Sequence, residues 1–211
     1  MKLWCKIIIG YSFLLTIYLL SPTIVELIAE IRWFIVKKFP VQKREEFLLE
    51  QIMKIEMAEF NITSRRRVNS LYERIIKSDS SNSNSLIAYG TSCIMLALHE
   101  KDSLRSQFLS RQSVWAANRL LAVNPYNANN LIAAAKLYTY NGIYHAMYYD
   151  TADAIYSRIE ILTKLDSLEI PKNISIFDRN VWIKELRETI IDLKFYNRMV
   201  QRAKYRKYFL E

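Results

Sequence analysis

Glycine and proline are scarce in this chain, three and four residues among 211. An all-β fold needs many tight turns rich in these residues, so their shortage points to long helices. Cysteine is limited to Cys5 and Cys93, too few for a disulfide framework. Cys93 opens the apolar run Cys93-Ile94-Met95-Leu96-Ala97-Leu98 and reads as a buried structural thiol. The two histidines, His99 and His145, stand far apart and in no metal-ligand spacing. A phosphate-binding glycine loop, a nucleophile elbow and a cofactor fingerprint are all missing. Asp150 and Asp153, with Arg158 nearby, read as a salt-bridging helix face. No catalytic residue, metal or cofactor is therefore expected, and an enzyme is the weaker class.

Acidic residues do not keep pace with basic ones, leaving a net charge of +9. The excess divides as +3 over residues 1–38 and +6 over 39–211. Acidic side chains remain interspersed, so anionic lipid heads are as natural a counterpart as a phosphate backbone, and nucleic acid is the weaker partner. What the chain does possess is a long uncharged run, Ile7 to Val25. Its nineteen residues would rise about 28 Å as a helix, close to the hydrocarbon thickness of a bilayer. Lys2 and Lys6 precede it, and Leu19-Leu20-Ser21-Pro22 makes a poor cleavage region, so a retained signal anchor is expected. Residues 1–38 then form a membrane anchor with an interfacial extension, where Trp33, Phe34, Lys37 and Lys38 suit the headgroup zone. Basic residues flank both ends, and the side of the membrane occupied by the rest stays open.

Residues 39–211 read as a helical interaction domain. Lys43 to Phe60 is an amphipathic helix with Phe47, Leu48, Ile52 and Ile55 on one face. Ser64 is expected to cap a second helix carrying Val68, Leu71, Tyr72, Ile75 and Ile76 inward. Ser78 to Ser85 is the clearest loop, and apolar patterning restarts at Leu86, with Gly90 permitting a close helix crossing. A helix opened by Asp102 or Ser103 is expected to bury Leu104, Phe108, Val114, Trp115, Leu120 and Leu121. It ends at Asn124, because Pro125 cannot continue the ladder. Ala128 to Tyr140 follows, then Ile143 to Leu165 with Ala146, Met147, Ala154, Ile155, Ile159 and Leu162 as packing residues. After a connector containing Pro171 and Asn173, a last helix spans Val181 to Leu210, capped by Asp178 or Asn180.

Two long segments hinge about Asn124-Pro125-Tyr126-Asn127 and Asn141-Gly142. Ala122-Val123-Asn124-Pro125, then Leu131, Ala134-Ala135, Tyr138, Asn141-Gly142 and Ala146, resemble a degenerate tetratricopeptide-repeat helical hairpin over residues 104–166. Ala135 stands at that pattern's usual glycine and Leu131 at its usual tryptophan, and the second helix is longer. The resemblance implies a protein-interaction scaffold and names no ligand; an unrelated helical bundle with an Asn-Pro turn is the alternative. The fold class expected is thus mostly α, an N-terminal transmembrane helix followed by an antiparallel helical bundle or TPR-like α-solenoid.

Candidate contact residues fall in two groups. Tyr138, Tyr140, Tyr144, Tyr148 and Tyr149 make the central hairpin aromatic, and rigid rings with a hydroxyl suit both protein interfaces and half-buried helix seams. Arg198, Arg202, Lys204, Arg206 and Lys207 cluster near the C-terminus beside aromatic residues, a pattern suited to a helix C-terminus, an acidic protein or anionic lipid. The functional expectation is a membrane-tethered scaffold or accessory subunit that positions a protein partner. A soluble helical adaptor and a helical enzyme are the alternatives.

Overall fold

Residues 41–58, 61–169 and 176–210 are described by the structure, a computed structural model. Among them run seven helices: α1 (Val41–Ala58), α2 (Ile62–Ser78), α3 (Ser83–His99), α4 (Ser103–Val123), α5 (Ala128–Asn141), α6 (Met147–Lys164) and α7 (Ile176–Leu210). The described residues contain no strand, only one isolated parallel bridge between Asn127 and Glu169. The mostly helical expectation is met at this level. The uncharged run 7–25 and the rest of the expected anchor lie outside the described residues, as does the connector at Pro171 and Asn173. Among the described residues, no helix is long and apolar enough to cross a membrane.

Each helix from α2 to α5 starts where a short polar side chain satisfies free backbone donors. The Ser64 N–H donates to Asn61 Oδ1 at 2.8 Å, so Asn61 is the cap and the expected Ser64 already lies inside α2. The Ser85 N–H donates to Asn82 Oδ1 at 3.0 Å. That bond draws Ser83–Ser85 into α3 and shortens the expected loop to residues 79–82, where Asp79 Oδ1 accepts from the Ser81 N–H and hydroxyl. Asp102 accepts from Leu104 N at 2.8 Å and Asn127 from Asn130 N at 3.1 Å. α6 departs from this pattern: residues 143–146 make a turn, and it opens on Ala146 without a side-chain cap. α7 begins at Ile176, ahead of the expected caps Asp178 and Asn180.

The chain falls into two units, Met1–Glu50 and Gln51–Glu211. The described part of the first is the opening of α1, where Leu48 is fully buried. In the second, helices pack mainly on their sequence neighbours, and α3 also reaches α5. Connections of three to five residues between α2, α3, α4, α5 and α6 reverse the chain at each step. A Cβ built on Gly90 would come within 2.7 Å of Leu137 and 3.1 Å of Ala116. The expected close crossing is therefore real: α3, α4 and α5 converge at this residue. Around it lies one core, with Leu86, Ile94, Leu120, Leu131 and Ile159 at its centre.

α7 closes the array by running back along α6. Its residues 194, 198, 201 and 204 meet residues 160, 153, 150 and 142, rising numbers against falling ones. The inward row Leu186, Ile190, Leu193, Asn197, Val200 and Lys204 alternates steps of four and three, the spacing of a helix–helix seam. Toward the C-terminus the seam turns polar. Asn197, 1% exposed, donates from Nδ2 to the Tyr149 carbonyl at 2.9 Å.

Candidate functional site

The five central tyrosines do not share one environment. Tyr138 is buried and donates its hydroxyl to Asn118 Oδ1 at 2.5 Å. Tyr149 is fully buried with its ring beneath Gly142. Burial raises both phenols above their ordinary pKa, with Tyr148 and Tyr196 respectively adding to the rise. Tyr144 and Tyr148 are half-buried. The Tyr144 hydroxyl lies 2.9 Å from Ser106 Oγ, and the Tyr148 ring stands 5.7 Å from those of Tyr138 and His145. Tyr140 alone among the five is classed as exposed, at 43%. Two of the candidates thus build the core, two pack half-buried against its edge and one faces solvent.

The basic group divides in the same way. Arg198 pairs with Asp153 at 3.2 Å. Lys204 donates to the carbonyls of Gly142 and Ile143 at 2.7 and 2.8 Å, satisfying orphan acceptors just past the end of α5. Desolvation there lowers its pKa. Arg202 is exposed and borders a groove of about 600 Å³ with Phe195, Arg198, Met199 and Ala203. Arg206 and Lys207 lie on the last turns of α7, with side chains outside the described set. The Asp150–Asp153 face is committed to the same helix, since Gln201 donates to Asp150 at 3.1 Å. Arg158 instead reaches the Pro125 carbonyl at 3.1 Å and stands 6.0 Å from the centre of the Tyr126 ring.

α4 overturns its expected orientation. Leu104, Phe108 and Trp115 are 79%, 59% and 43% exposed, and Val114 and Leu121 are half-buried. Only Leu120 of the six expected core residues is buried. The inward face is made of Ser106, Leu109, Ser110, Ser113, Ala116, Ala117 and Leu120. Small residues there let α3 and α5 come close, and a buried hydrogen-bond network replaces bulk. Ser110 Oγ donates to Asn141 Oδ1 at 2.6 Å, while Asn141 Nδ2 donates to Ser113 Oγ at 3.0 Å and to the Leu137 carbonyl at 2.7 Å. Both N–H donors and the oxygen of the Asn141 amide group are engaged in a buried interior, where such bonds are strong. α6 is corrected likewise: Met147 and Ala154 face solvent while Ala152 and Tyr156 are buried.

A second concavity of about 480 Å³ lies along α2 and α3 beside the end of α1, with Ile55, Val68, Tyr72, Ala88 and Met95 as its apolar lining. Glu56 and Arg65 stand at its polar margin. Cys93 is fully buried and donates to Asn69 Oδ1 at 3.3 Å. Desolvation pushes its thiol up to about 12, away from the thiolate a nucleophile requires. Among the described residues, no three His, Cys, Asp or Glu side chains gather at metal-binding distance. These geometries offer surfaces for contact: an outward row of large apolar side chains on α4, a groove on α2–α3 and an exposed outer face of α7.

The sequence signal for the outward row was the stripe of Ser106, Ser110, Ser113, Ala116 and Ala117, whose helical spacing marks a tightly packed inner face. Large residues on the other side of the same helix then had to point away from it. The fold places the chain among all-α helical arrays. No family model, no curated protein and no solved structure matches it.

Proposed function

We propose that this chain is an accessory subunit: an array of helical hairpins that binds and positions a protein partner, held at a membrane by its opening segment. The carrying observation is the placement of Leu104, Phe108 and Trp115 on the solvent face of α4 while serines and alanines fill the inside. Large exposed apolar side chains in a row cost solubility, and such rows mark contact surfaces. The pairs α3–α4 and α5–α6, with α3 touching α5, support the tetratricopeptide-like reading, in which successive hairpins stack and offer a continuous face. The uncharged run 7–25 supports the tether, and confinement raises the effective concentration of a partner without catalytic groups.

Membrane fractionation tests the tether. The full chain is expected to stay in the membrane pellet through carbonate extraction and to lose that retention on deletion of residues 1–38. Recovery of the full chain in the soluble fraction without detergent would make it a soluble adaptor. Crosslinking in native membranes, with Phe108 replaced by a photoreactive residue, is expected to capture a protein at that position.

A further inference from the structure

The outer face of α4 has a regularity that exposure alone does not explain. Leu104, Phe108, Arg111, Trp115 and Asn118 are separated by steps of four, three, four and three, and every one is exposed. This is the spacing of knobs on a helix that packs along another helix. α4 therefore has two sides: the inner one occupied by α3 and α5, and the outer one exposed, where Trp115 touches the Tyr89 ring edge-on at 6.4 Å and Asn118 accepts from Tyr138, while Leu104, Phe108 and Arg111 stay open to solvent.

Resting on the reading of this row as a protein-contact face, we propose that the protein covering it is a second copy of this chain, with α4 packed antiparallel on α4 about a twofold axis. The seam is complementary to itself in that arrangement. With the axis between Leu109 and Ser110, Leu104 faces Trp115 of the second copy and Phe108 faces its Arg111. Each guanidinium then lies against an aromatic ring, a favourable cation–π contact, and each leucine packs on an indole. A parallel, in-register pairing would instead set Arg111 against Arg111, which selects the antiparallel form. Arg111 makes no hydrogen bond or ion pair with the described residues, so no existing interaction must break. A partner helix bearing a carboxylate is not required to neutralise it.

Size sets the strength. A helix of 21 residues is about 31 Å long, and a specific interface takes about 800 Å² from each partner. Each copy also carries a net charge of +9, and this repulsion opposes association until salt screens it over about 8 Å. A micromolar dimer that tightens with added salt is the expected result.

Sedimentation velocity on the full chain in detergent, over the micromolar range, tests this. A monomer–dimer equilibrium is expected for the unaltered chain. Leu104→Asp and Phe108→Lys should each weaken it by about tenfold or more, the latter by setting lysine against Arg111 of the second copy. The double variant Phe108→Lys/Arg111→Glu should recover association, because lysine at 108 then meets glutamate at 111. Both sites are exposed, so helicity and thermal unfolding, measured at a concentration where the monomer predominates, should stay unchanged and report that the fold is intact. A chain that is monomeric throughout, a dimer indifferent to these substitutions, as one held by the opening segment would be, or a double variant no better than Phe108→Lys would overturn the proposal.

Discussion

Gly142 follows α5 with φ −56° and ψ −26°, a conformation any residue adopts, so its role is not the turn. A Cβ there would stand 2.3 Å from the ring of Tyr149, a fully buried side chain that would have to shift to admit it. Gly142→Ala is therefore expected to destabilise the fold by about 1–3 kcal/mol, the range for overpacking a core, as read by urea unfolding. Cys93 sets a second residue-scale expectation. Burial raises its pKa to about 12, with the bonds to Tyr89 and Asn69 opposing the rise, whereas an unfolded thiol titrates near about 8.5. Between those values the folded chain holds a proton that the unfolded chain has lost. The thiol's contribution is complete below the lower value and declines as pH rises toward the upper, by at most about 1.4 kcal/mol per pH unit. Unfolding measured from about pH 7 to about pH 10 should show this fall, and Cys93→Ala should flatten it. Buried Tyr156, raised by desolvation to about 12, adds a further decline only once free tyrosine ionises, near about pH 10.

Among the elements, α4 separates size from burial. Its serines and alanines, with Leu109 and Leu120, carry the packing while Leu104, Phe108 and Trp115 face water, so substitutions on the two faces should differ sharply in cost. Leu104→Ser, at a position 79% exposed, is expected to change stability by less than about 0.5 kcal/mol. Leu109→Ala, at 8% exposed, should cost about 2–4 kcal/mol from lost burial and the cavity left behind. Parallel thermal melts would show it, and equal costs would mean that the face assignment is wrong. Helix ends were easier to read than helix faces. Asp102, Pro125 and Asn141-Gly142 act through bonds within a few residues, and α4 and α5 begin and end within a residue of expectation. The face of α4 depended on Asn141, 28 and 31 residues beyond the serines it joins, a relation that periodicity along one helix does not carry.

For the molecule as a whole, α7 shows how the basic C-terminus is shared between structure and surface. Arg198 and Lys204 are spent on Asp153 and on the carbonyls after α5, whereas Arg202 remains on the outer side with Phe195 and Met199. From Lys194 to Leu210 the sequence has six basic residues and no acidic one, a composition drawn to anionic lipid. In nanodiscs containing anionic lipid, amide exchange over residues 198–204 is expected to slow relative to zwitterionic discs. Replacing Arg202, Arg206 and Lys207 by glutamine should remove the difference; persistence of full protection would withdraw these residues from lipid contact. Lys204→Met, by contrast, should cost about 1–3 kcal/mol of stability in either lipid. Alone, the sequence determined that the chain is helical and where its central helices begin and end, because caps, proline and missing glycine act locally. Which tyrosines became core, which basic side chains stayed free and which side of α4 turned outward were decided only by tertiary packing, where close approach at Gly90 and the buried bonds of Asn141 outweighed the hydrophobicity of single residues.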